Sequence, residues 1–531
     1  MTFTDEMTFH MASVKRPDGR EKGVLLPLFS LPSKYGIGCI SKEAYDFVDW
    51  LAGAGHTCWQ VLPLGPAGSG DSPYQPLSSF AGNACYIDPE ELISLGLLRQ
   101  EEADRFDFGQ DPEHVDYSAL YDGREEMLRA AYRRFAGGSS ESDKGSEGGK
   151  CGKNGARAAQ YAEDFCCFCE ENREWLEDYA LFMALREEYG RNLSWDRWPG
   201  PIRRRDGEAI AKLKGEHDES SIGRAADFYR WTQFEFYRQW DALRKYANDA
   251  GIRIIGDMPF YVSYDSADCW AYPEQFLLDE DLKPLKVAGV PPDAFSADGQ
   301  LWGNPLYDWD RMKEDGYRWW IRRIRQNFRM YDALRLDHFR GFASYYAIPA
   351  DAETAVSGEW EKGPGIELFR LEEMAGEKFI AEDLGLLTDE VRQLLKESGL
   401  PGTKVIQFAF DGDPQNIYLT EHYPENCVAY TGTHDNDTTV GWFKELDDHT
   451  KLLVLQYLNI DPQTAPLEDA VCDALIQKLF DSASELCVIP LQDYLHLGSE
   501  ARINIPGTAS GNWRWRMTGL SRQGSGPDPE E

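Results

Sequence analysis

The chain has 531 residues and 42% hydrophobic side chains, enough to bury one large barrel with insertions or two to three ordinary domains. Its 91 acidic and 55 basic residues give a net charge of −36, which repels phosphate backbones and anionic lipid. We therefore expect no nucleic acid and no membrane as partners, whereas a neutral ligand is compatible with this charge. The N-terminal segment lacks an apolar signal-peptide core, and the 11 Cys are scattered, so we predict a cytoplasmic protein.

Three segments differ from the rest in composition or pattern. Residues of about 88–230 follow a helical pattern without clear strands, and we interpret them as a helical insertion. Within it, residues 136–158 (AGGSSESDKGSEGGKCGKNGARA) have little to bury and predict a disordered loop. Residues 522–531 predict a loose C-terminal tail.

A cluster of cysteines lies in FCCFCEENREW, namely Cys166, Cys167 and Cys169. A metal site requires separated ligand pairs or His partners, and no such pair is evident in the sequence. The surrounding aromatic residues have helical spacing, so we interpret these cysteines as packing in a helix.

A unit of amphipathic helix, short turn and short apolar strand recurs along the chain. It is seen in EAYDFVDWLAGAGHTCWQVLPLGP, FEFYRQWDALRKYANDAGIRIIGDMPFYV, WWIRRIRQNFRMYDALRLDHFRG and ALIQKLFDSASELCVIPLQDYL. Further apolar runs, KFIAEDLG and CVAYTGTHDND, bring the count to at least seven strands. This pattern predicts an α/β fold, namely a closed (β/α)8 TIM barrel with inserted, mainly helical subdomains. We predict that residues 1–531 form a single catalytic domain. A doubly wound open sheet is the alternative, although no GxGxxG follows the first strand.

Four of these apolar strands run into a carboxylate. Asp257 follows RIIG, Asp337 follows ALRL, Glu382 follows KFIA and Asp435 follows VAYTGTH. In an α/β barrel the carboxyl ends of all strands converge on one face, where active sites are built. Any one of these acids could instead be a helix N-cap. Four together favour one shared site.

The spacing around Asp337 indicates more specific chemistry. Arg335 and Asp337 are two residues apart, so on a strand both point to one side, and the guanidinium favours the ionised carboxylate that a nucleophile requires. A structural ion pair at the barrel mouth is the alternative. Glu382 lies among apolar residues, which raise the pKa of a glutamate and make it a general acid. One ionised and one protonated carboxylate is the arrangement that splits a glycosidic bond. Asp435 and His434 could bind sugar hydroxyls.

Two loops have the composition of a carbohydrate groove. GDSPYQPLSSFAGN places Tyr74 and Gln75 after the first helix–strand unit, and GVPPDAFSADGQLWGNPLYDW is predicted as a long loop carrying Asp293, Trp302 and Asn304. Exposed aromatic rings beside amides and carboxylates suit a ligand with apolar ring faces and many hydroxyls. For each aromatic residue alone, core packing is the simpler interpretation. We predict a lid or substrate-loop insertion over about 262–316, with 289–309 as the part that closes over the ligand.

These motifs together resemble a known family. LLPLFSLPSKYGIG, WQVLPLGPAGSGDSPYQPLSSFAGN, GDMPFYVSYDSADCWA, LRLDHFRGF, AEDLG, TGTHDND and PGTASGNWRWR are similar to the 4-α-glucanotransferases, or amylomaltases, of glycoside hydrolase family 77. The resemblance runs in order from about residue 21 to 517. It implies a (β/α)8 barrel and a retaining double displacement on α-1,4-glucans.

By the same resemblance, Asp337 is expected to be the nucleophile, Glu382 the general acid/base and Asp435 the transition-state stabiliser. The substrate-binding residues that it implies are Arg335, His434, Tyr74, Asp257, Asp293, Trp302 and Asn304, and we predict Gln75 and His338 as further ones. We expect no metal and no cofactor, because the two carboxylates cover proton transfer and nucleophilic catalysis.

The expected partners are α-1,4-glucans as donors and glucose or another glucan as acceptor, with the protein a monomer or weak homodimer. Two other functions are compatible with parts of the sequence. An α-1,4-glucan hydrolase would use the same acids in a wetter site, and a non-catalytic glycan-binding barrel would have lost one of them.

Overall fold

A computed structural model of the chain describes residues 20–137, 151–215, 221–292, 296–374, 376–385 and 387–519. Eight parallel strands form a closed barrel in the order β1-β12-β11-β10-β9-β6-β3-β2, which confirms the predicted (β/α)8 fold and not an open sheet. These strands are β1 (Glu21–Leu25), β2 (Cys58–Gln60), β3 (Arg253–Met258), β6 (Ala333–Leu336), β9 (Phe379–Ala381), β10 (Gly402–Val405), β11 (Cys427–Tyr430) and β12 (Leu486–Pro490).

The interior of the barrel is filled by side chains from every strand. Because side chains alternate along a strand, one set points inward and the other packs against the surrounding helices. The inward set forms a separate apolar cluster, composed of Leu25, Cys58, Ile255, Ala333, Ile380, Val405, Val428, Tyr430, Leu486 and Val488. The short, continuous apolar runs of the sequence are therefore explained by burial on both faces.

Helices cover the outside of the barrel. Their apolar faces join the strands' outward side chains in the main core, where Trp59, Trp240 and Trp320 are fully buried. Besides the helical insertion, the described helices are α1 (Lys42–Gly53), α10 (Ala267–Ala271), α11 (Trp309–Glu314), α12 (Arg318–Met330), α13 (Arg340–Ala343), α14 (Asp389–Ser398), α15 (Thr439–Glu445), α16 (Asp448–Leu458), α17 (Leu467–Asp481) and α18 (Leu491–Tyr494).

The connection between β2 and β3 holds the helical insertion. Its helices are α2 (Pro89–Ser94), α3 (Gln100–Ala103), α4 (Tyr117–Ala136), α5 (Cys151–Glu171), α6 (Arg173–Tyr189), α7 (Gly200–Arg203), α8 (Gly207–Gly215) and α9 (Ser221–Asp249). The prediction of a loop over 136–158 is wrong at its C-terminal end, because α5 begins at Cys151. Residues 138–150 and the predicted tail 522–531 lie outside the described residues.

The cysteine cluster lies in the last turns of α5. Cys166 and Cys167 are exposed, so the prediction that they pack in the core is wrong for these two, and Cys169 is half-buried. Phe168, the residue between them, contacts Phe234 and Tyr237 and supplies the packing instead. The helical spacing was correct, but adjacent residues point to different sides of a helix.

A second sheet stands over the barrel. It has four antiparallel strands in the order β5-β4-β7-β8, namely β4 (Lys286–Val290), β5 (Gln300–Pro305), β7 (Ser344–Pro349) and β8 (Glu359–Lys362). We call it the lid sheet. The prediction of a long irregular loop over 289–309 is therefore wrong in part, since β4 and β5 form a hairpin there. The lid sheet also takes in residues 344–362, which follow β6.

No helix within the described ranges is long and apolar enough to cross a membrane.

Gly256 in β3 lies directly against the ring of Tyr331, the residue that follows α12. A Cβ atom at this position would clash with the ring of Tyr331, which is fully buried. We predict that Gly256→Ala lowers the free energy of unfolding by about 1–3 kcal/mol because the core there is overpacked. Denaturant unfolding followed by circular dichroism measures this change. Gly53→Ala is the matched control, since a Cβ there meets nothing within 4 Å, and an equal loss in both variants would contradict the prediction.

Candidate active site

The four carboxylates foreseen from the sequence all lie at the carboxyl end of the barrel. Asp257 is in β3, Asp337 and Glu382 directly follow β6 and β9, and Asp435 lies in the connection after β11. None of the four caps a helix. The N-caps of the helices that follow them are Ser266, Phe339, Thr388 and Thr438, so the capping alternative is wrong.

Arg335 joins two of these carboxylates. Its Nη1 atom donates to both carboxylate oxygens of Asp257 at 2.8 Å and to Oδ1 of Asp337 at 3.0 Å. The prediction that Arg335 and Asp337 point to the same side of the strand is thus confirmed. Asp257 lies beside them because it pairs with Arg335 in the β3–β6 register. Although burial lowers the pKa of Arg335, the two carboxylates hold it well above its ordinary value, so the guanidinium remains a cation.

The turn after β6 ties Asp337 to Glu382. The backbone N–H of Asp337 donates to the carbonyl of Met258, and His338 adopts a left-handed conformation with φ of 49°. This turn directs the His338 N–H to Oε2 of Glu382 at 2.8 Å, while the Leu384 N–H donates to Oε1 at 3.1 Å. The residue that directly follows Asp337 therefore holds the carboxyl group of Glu382.

Glu382 has the raised pKa that the sequence predicted. Burial raises the pKa of its carboxyl, the Arg335 cation acts in the opposite direction and the Asp337 charge raises it further, with a result of about 8. At neutral pH the group therefore carries a proton. A protonated carboxyl beside an ionised one is the pair that general acid catalysis of glycoside cleavage requires.

Asp435 is connected to the other carboxylates of the barrel mouth through Tyr74 and His434. The Tyr74 hydroxyl donates to Oδ2 of Asp257 at 2.9 Å and lies 3.3 Å from Nδ1 of His434. The Tyr74 and His434 rings stack with centroids 4.9 Å apart. The other ring nitrogen, Nε2 of His434, is 3.4 Å from Oδ1 of Asp435. A continuous chain of polar contacts thus runs from Asp337 through Arg335 and Asp257 to Asp435.

Two residues that hold Asp435 were not foreseen. Asn504 donates from Nδ2 to Oδ1 of Asp435 at 2.6 Å, and Arg502 donates from Nη2 to its backbone carbonyl at 2.8 Å. Arg502 also fixes Asn504, through a 2.7 Å bond from Nε to the Asn504 carbonyl. Both lie in RINI, a segment near the C-terminus in which the only signal was two polar residues spaced two apart.

The lid sheet brings its residues to the same mouth. Gln75 and Asn304 exchange two amide hydrogen bonds of 3.0 and 3.1 Å, which join the loop after β2 to β5. The Trp302 ring meets the His338 ring edge-on, with centroids 5.1 Å apart. Burial lowers the pKa of His338 to about 4. The imidazole is therefore neutral at neutral pH, and its Nε2 atom is buried without a hydrogen-bond partner among the described residues. Asp293 lies outside the described residues.

Barrel and carboxylate network together define a class, the (β/α)8-barrel enzymes that act on glycosidic bonds through paired acids. A family model described as 4-alpha-glucanotransferase, of glycoside hydrolase family 77, matches residues 26–521. The chain belongs to this family.

Similar proteins agree with this assignment. A 4-alpha-glucanotransferase from Thermus thermophilus is 46% identical over 502 residues, covering 94% of this chain and 95% of the relative. Another from Streptococcus pneumoniae is 44% identical over 505 residues, covering 94% and 93%. The solved amylomaltase from Streptococcus agalactiae in complex with acarbose is 39% identical, with a TM-score of 0.85, and covers 94% of this chain and 95% of that one.

The raised pKa of Glu382 predicts a basic limb in the pH profile of glucan transfer. Because the group must be protonated to act as an acid, kcat/KM for maltotriose should fall as pH rises through about 8 in the free enzyme. Initial rates between pH 6 and pH 10 measure this limb. A profile that stays flat through pH 9 would contradict the assignment of the acid.

The bond from Asn504 to Asp435 predicts a positioning effect. We expect Asn504→Ala to lower kcat/KM for maltotriose by about ten- to a hundredfold, since a hydrogen bond to a charged group contributes about 1.5–3 kcal/mol. Asn426→Ala, which removes an exposed amide bonded to a distant backbone carbonyl, is the control. Equal activity of the two variants would show that Asn504 has no part in orienting Asp435.

Proposed function

We propose that this chain transfers a segment of an α-1,4-glucan to the 4-hydroxyl of glucose or of another α-1,4-glucan. The observation that carries the proposal is the pairing of Asp337, fixed by Arg335, with a protonated Glu382 at one barrel mouth. Family membership supports the reaction, and the acarbose complex of the Streptococcus agalactiae amylomaltase supports a glucan-like oligosaccharide as ligand.

In the first half-reaction, a carboxylate oxygen of Asp337 attacks the anomeric carbon of the donor. The bond from that carbon to the glycosidic oxygen breaks, and Glu382 gives its proton to the departing oxygen. The reducing-end fragment leaves, and the remaining glucan stays as an ester on Asp337. Arg335 disperses the charge of the attacking carboxylate and keeps its orientation fixed.

In the second half-reaction, Glu382 acts as a base because it has lost its proton. It takes the proton of the acceptor's 4-hydroxyl while that oxygen attacks the anomeric carbon and displaces Asp337. Two displacements at one carbon give retention of configuration. Both acids return to their starting states, so the cycle closes without any further reactant.

The remaining side chains of the site bind and orient the sugar. Asp435, held by Asn504 and His434, stabilises the positive charge that develops on the ring in the transition state. The Trp302 and His338 rings contact each other on the lid side and are assigned to the binding of the acceptor. Other substrate contacts are assigned to Tyr74, Gln75, Asp257, Asp293 and Asn304.

Transfer prevails over hydrolysis when water is kept from the ester while an acceptor is present. The lid sheet offers a physical means for this, because its β4–β5 hairpin places Trp302 against His338, next to Glu382. The acceptor sugar then takes the place that water would occupy.

We predict that Asp337→Asn lowers turnover of maltotriose by more than about a thousandfold with the fold unchanged, and that Glu382→Gln does nearly the same. Circular dichroism measures the fold. The product ladder over time measures the reaction, and the unaltered enzyme should give free glucose together with oligosaccharides longer than maltotriose.

Asp351→Asn, at an exposed acid in a turn, is the control variant. Near-normal transfer by Asp337→Asn or Glu382→Gln would refute the roles of these residues. If the unaltered enzyme formed only products shorter than maltotriose, the chain would be a hydrolase and the proposed function would be wrong.

A further inference from the structure

Trp360 on β8 of the lid sheet differs from the other tryptophans that the structure describes. Among the exposed large hydrophobic side chains of the described residues, Trp360 is the one Trp, with 40% of its surface accessible. The chain is rich in Trp, with 16, and those around the barrel such as Trp59 and Trp320 are fully buried.

The surroundings of Trp360 hold its ring in a fixed position. In the register of the lid sheet, Leu301, Gly289, Tyr346 and Trp360 lie in one row across the four strands. The Tyr346 ring meets the Trp360 ring edge-on, with centroids 5.1 Å apart. The loop residue Gly358 approaches the Tyr346 ring so closely that a Cβ would clash with it. Tyr346 is thus covered, whereas Trp360 at the end of the row is not.

Arg340 lies against one face of the same ring. Its guanidinium carbon is 3.7 Å from the centroid of the Trp360 ring. The guanidinium is itself largely buried, so it supports the indole from beneath. An aromatic ring that is held on one face and at its edge presents its remaining face as a rigid, flat surface.

This surface belongs to the barrel mouth. Arg340 is in α13, on the same connection after β6 that carries Asp337 and His338. It is also close enough to Glu390, in the first turn of α14, to interact with it electrostatically. Trp360 therefore lies beside the connections after β6 and β9, which hold the two central carboxylates. In the proposed mechanism Glu382 protonates the leaving oxygen, so the acceptor binds on the side of Glu382. Arg340 connects Trp360 to this side through Glu390, which lies on the connection that begins with Glu382.

We propose that Trp360, supported by Arg340, is a stacking platform for a distal glucosyl unit of long acceptor chains. The proposal rests on the proposed function and adds a specificity determinant to it. A glucosyl ring has apolar C–H faces that pack on an indole, while its hydroxyls remain at the edge in contact with water. The ligand is neutral, so the net charge of −36 does not oppose its binding.

A short acceptor such as glucose occupies only the position next to Glu382 and does not reach Trp360. A long acceptor reaches both, and its affinity contains the contribution of the platform. The platform therefore changes the preference among acceptors rather than the chemical step. This difference distinguishes it from a residue that only supports the fold of the lid sheet.

The test compares acceptors of two lengths. With maltotriose as donor, kcat/KM is measured for labelled glucose and labelled maltoheptaose as acceptors. We expect Trp360→Ala to lower the ratio of maltoheptaose to glucose by about three- to tenfold and Trp360→Phe to retain most of it, because a smaller ring still stacks. Leu452→Ala, at an exposed apolar residue of α16, is the control and should leave the ratio unchanged.

Each outcome has a separate meaning. An unchanged ratio in Trp360→Ala, with transfer by the unaltered enzyme intact, overturns the platform alone. Equal losses with both acceptors, not recovered in Trp360→Phe, overturn it in favour of a structural role. A shift of oligomeric state on gel filtration in Trp360→Ala without a change of the ratio overturns it in favour of contact with a second copy of the chain. Absence of transfer by the unaltered enzyme overturns the proposed function, and the platform with it.

Discussion

The buried cation of Arg335 is the interaction on which the arrangement of the site depends. Two carboxylates, Asp257 and Asp337, lie within 3.0 Å of one of its nitrogens in a place from which water is largely excluded. Without the guanidinium, their mutual repulsion and their loss of hydration would oppose this arrangement. Arg335 therefore allows two negative charges to lie side by side, and each of them acts on a neighbouring residue. Asp337 raises the pKa of Glu382, and Asp257 accepts the hydrogen bond of Tyr74.

Along β3 and β6, the residues that stabilise the barrel and the charged residues of the site occupy different layers. Inward side chains in the lower layer are apolar, as Ile255 and Ala333 are, and they close the core. The next inward positions on the same two strands are Asp257 and Arg335, which form the ion pair. The period of two along a strand thus places a polar layer directly above an apolar one. The lower layer keeps the strands in register, and that register determines which charges meet in the upper layer.

The sequence predicted those parts of the molecule that depend on local pattern. The apolar runs predicted the barrel, and the two-residue spacing predicted that Arg335 and Asp337 share a side. The lid sheet was missed because its two halves come from separate connections and meet only where β4 pairs with β7, across more than fifty positions of sequence, which periodicity does not register. Asn504 reaches Asp435 across 69 positions and was missed for the same reason. The helix beginning at Cys151 was missed because the Gly- and Ser-rich composition of its surroundings outweighed its own pattern.

The central claim is that the carboxylate fixed by Arg335 forms the bond to the sugar. Trapping of the covalent intermediate tests this claim most directly. Fluoride leaves without protonation, so α-maltotriosyl fluoride should glycosylate a Glu382→Gln enzyme, whose missing base slows transfer to an acceptor. Peptide mass spectrometry should then find one maltotriosyl adduct, located on Asp337. An adduct on Asp435 or Asp257, or no adduct while fluoride is released, would contradict the account.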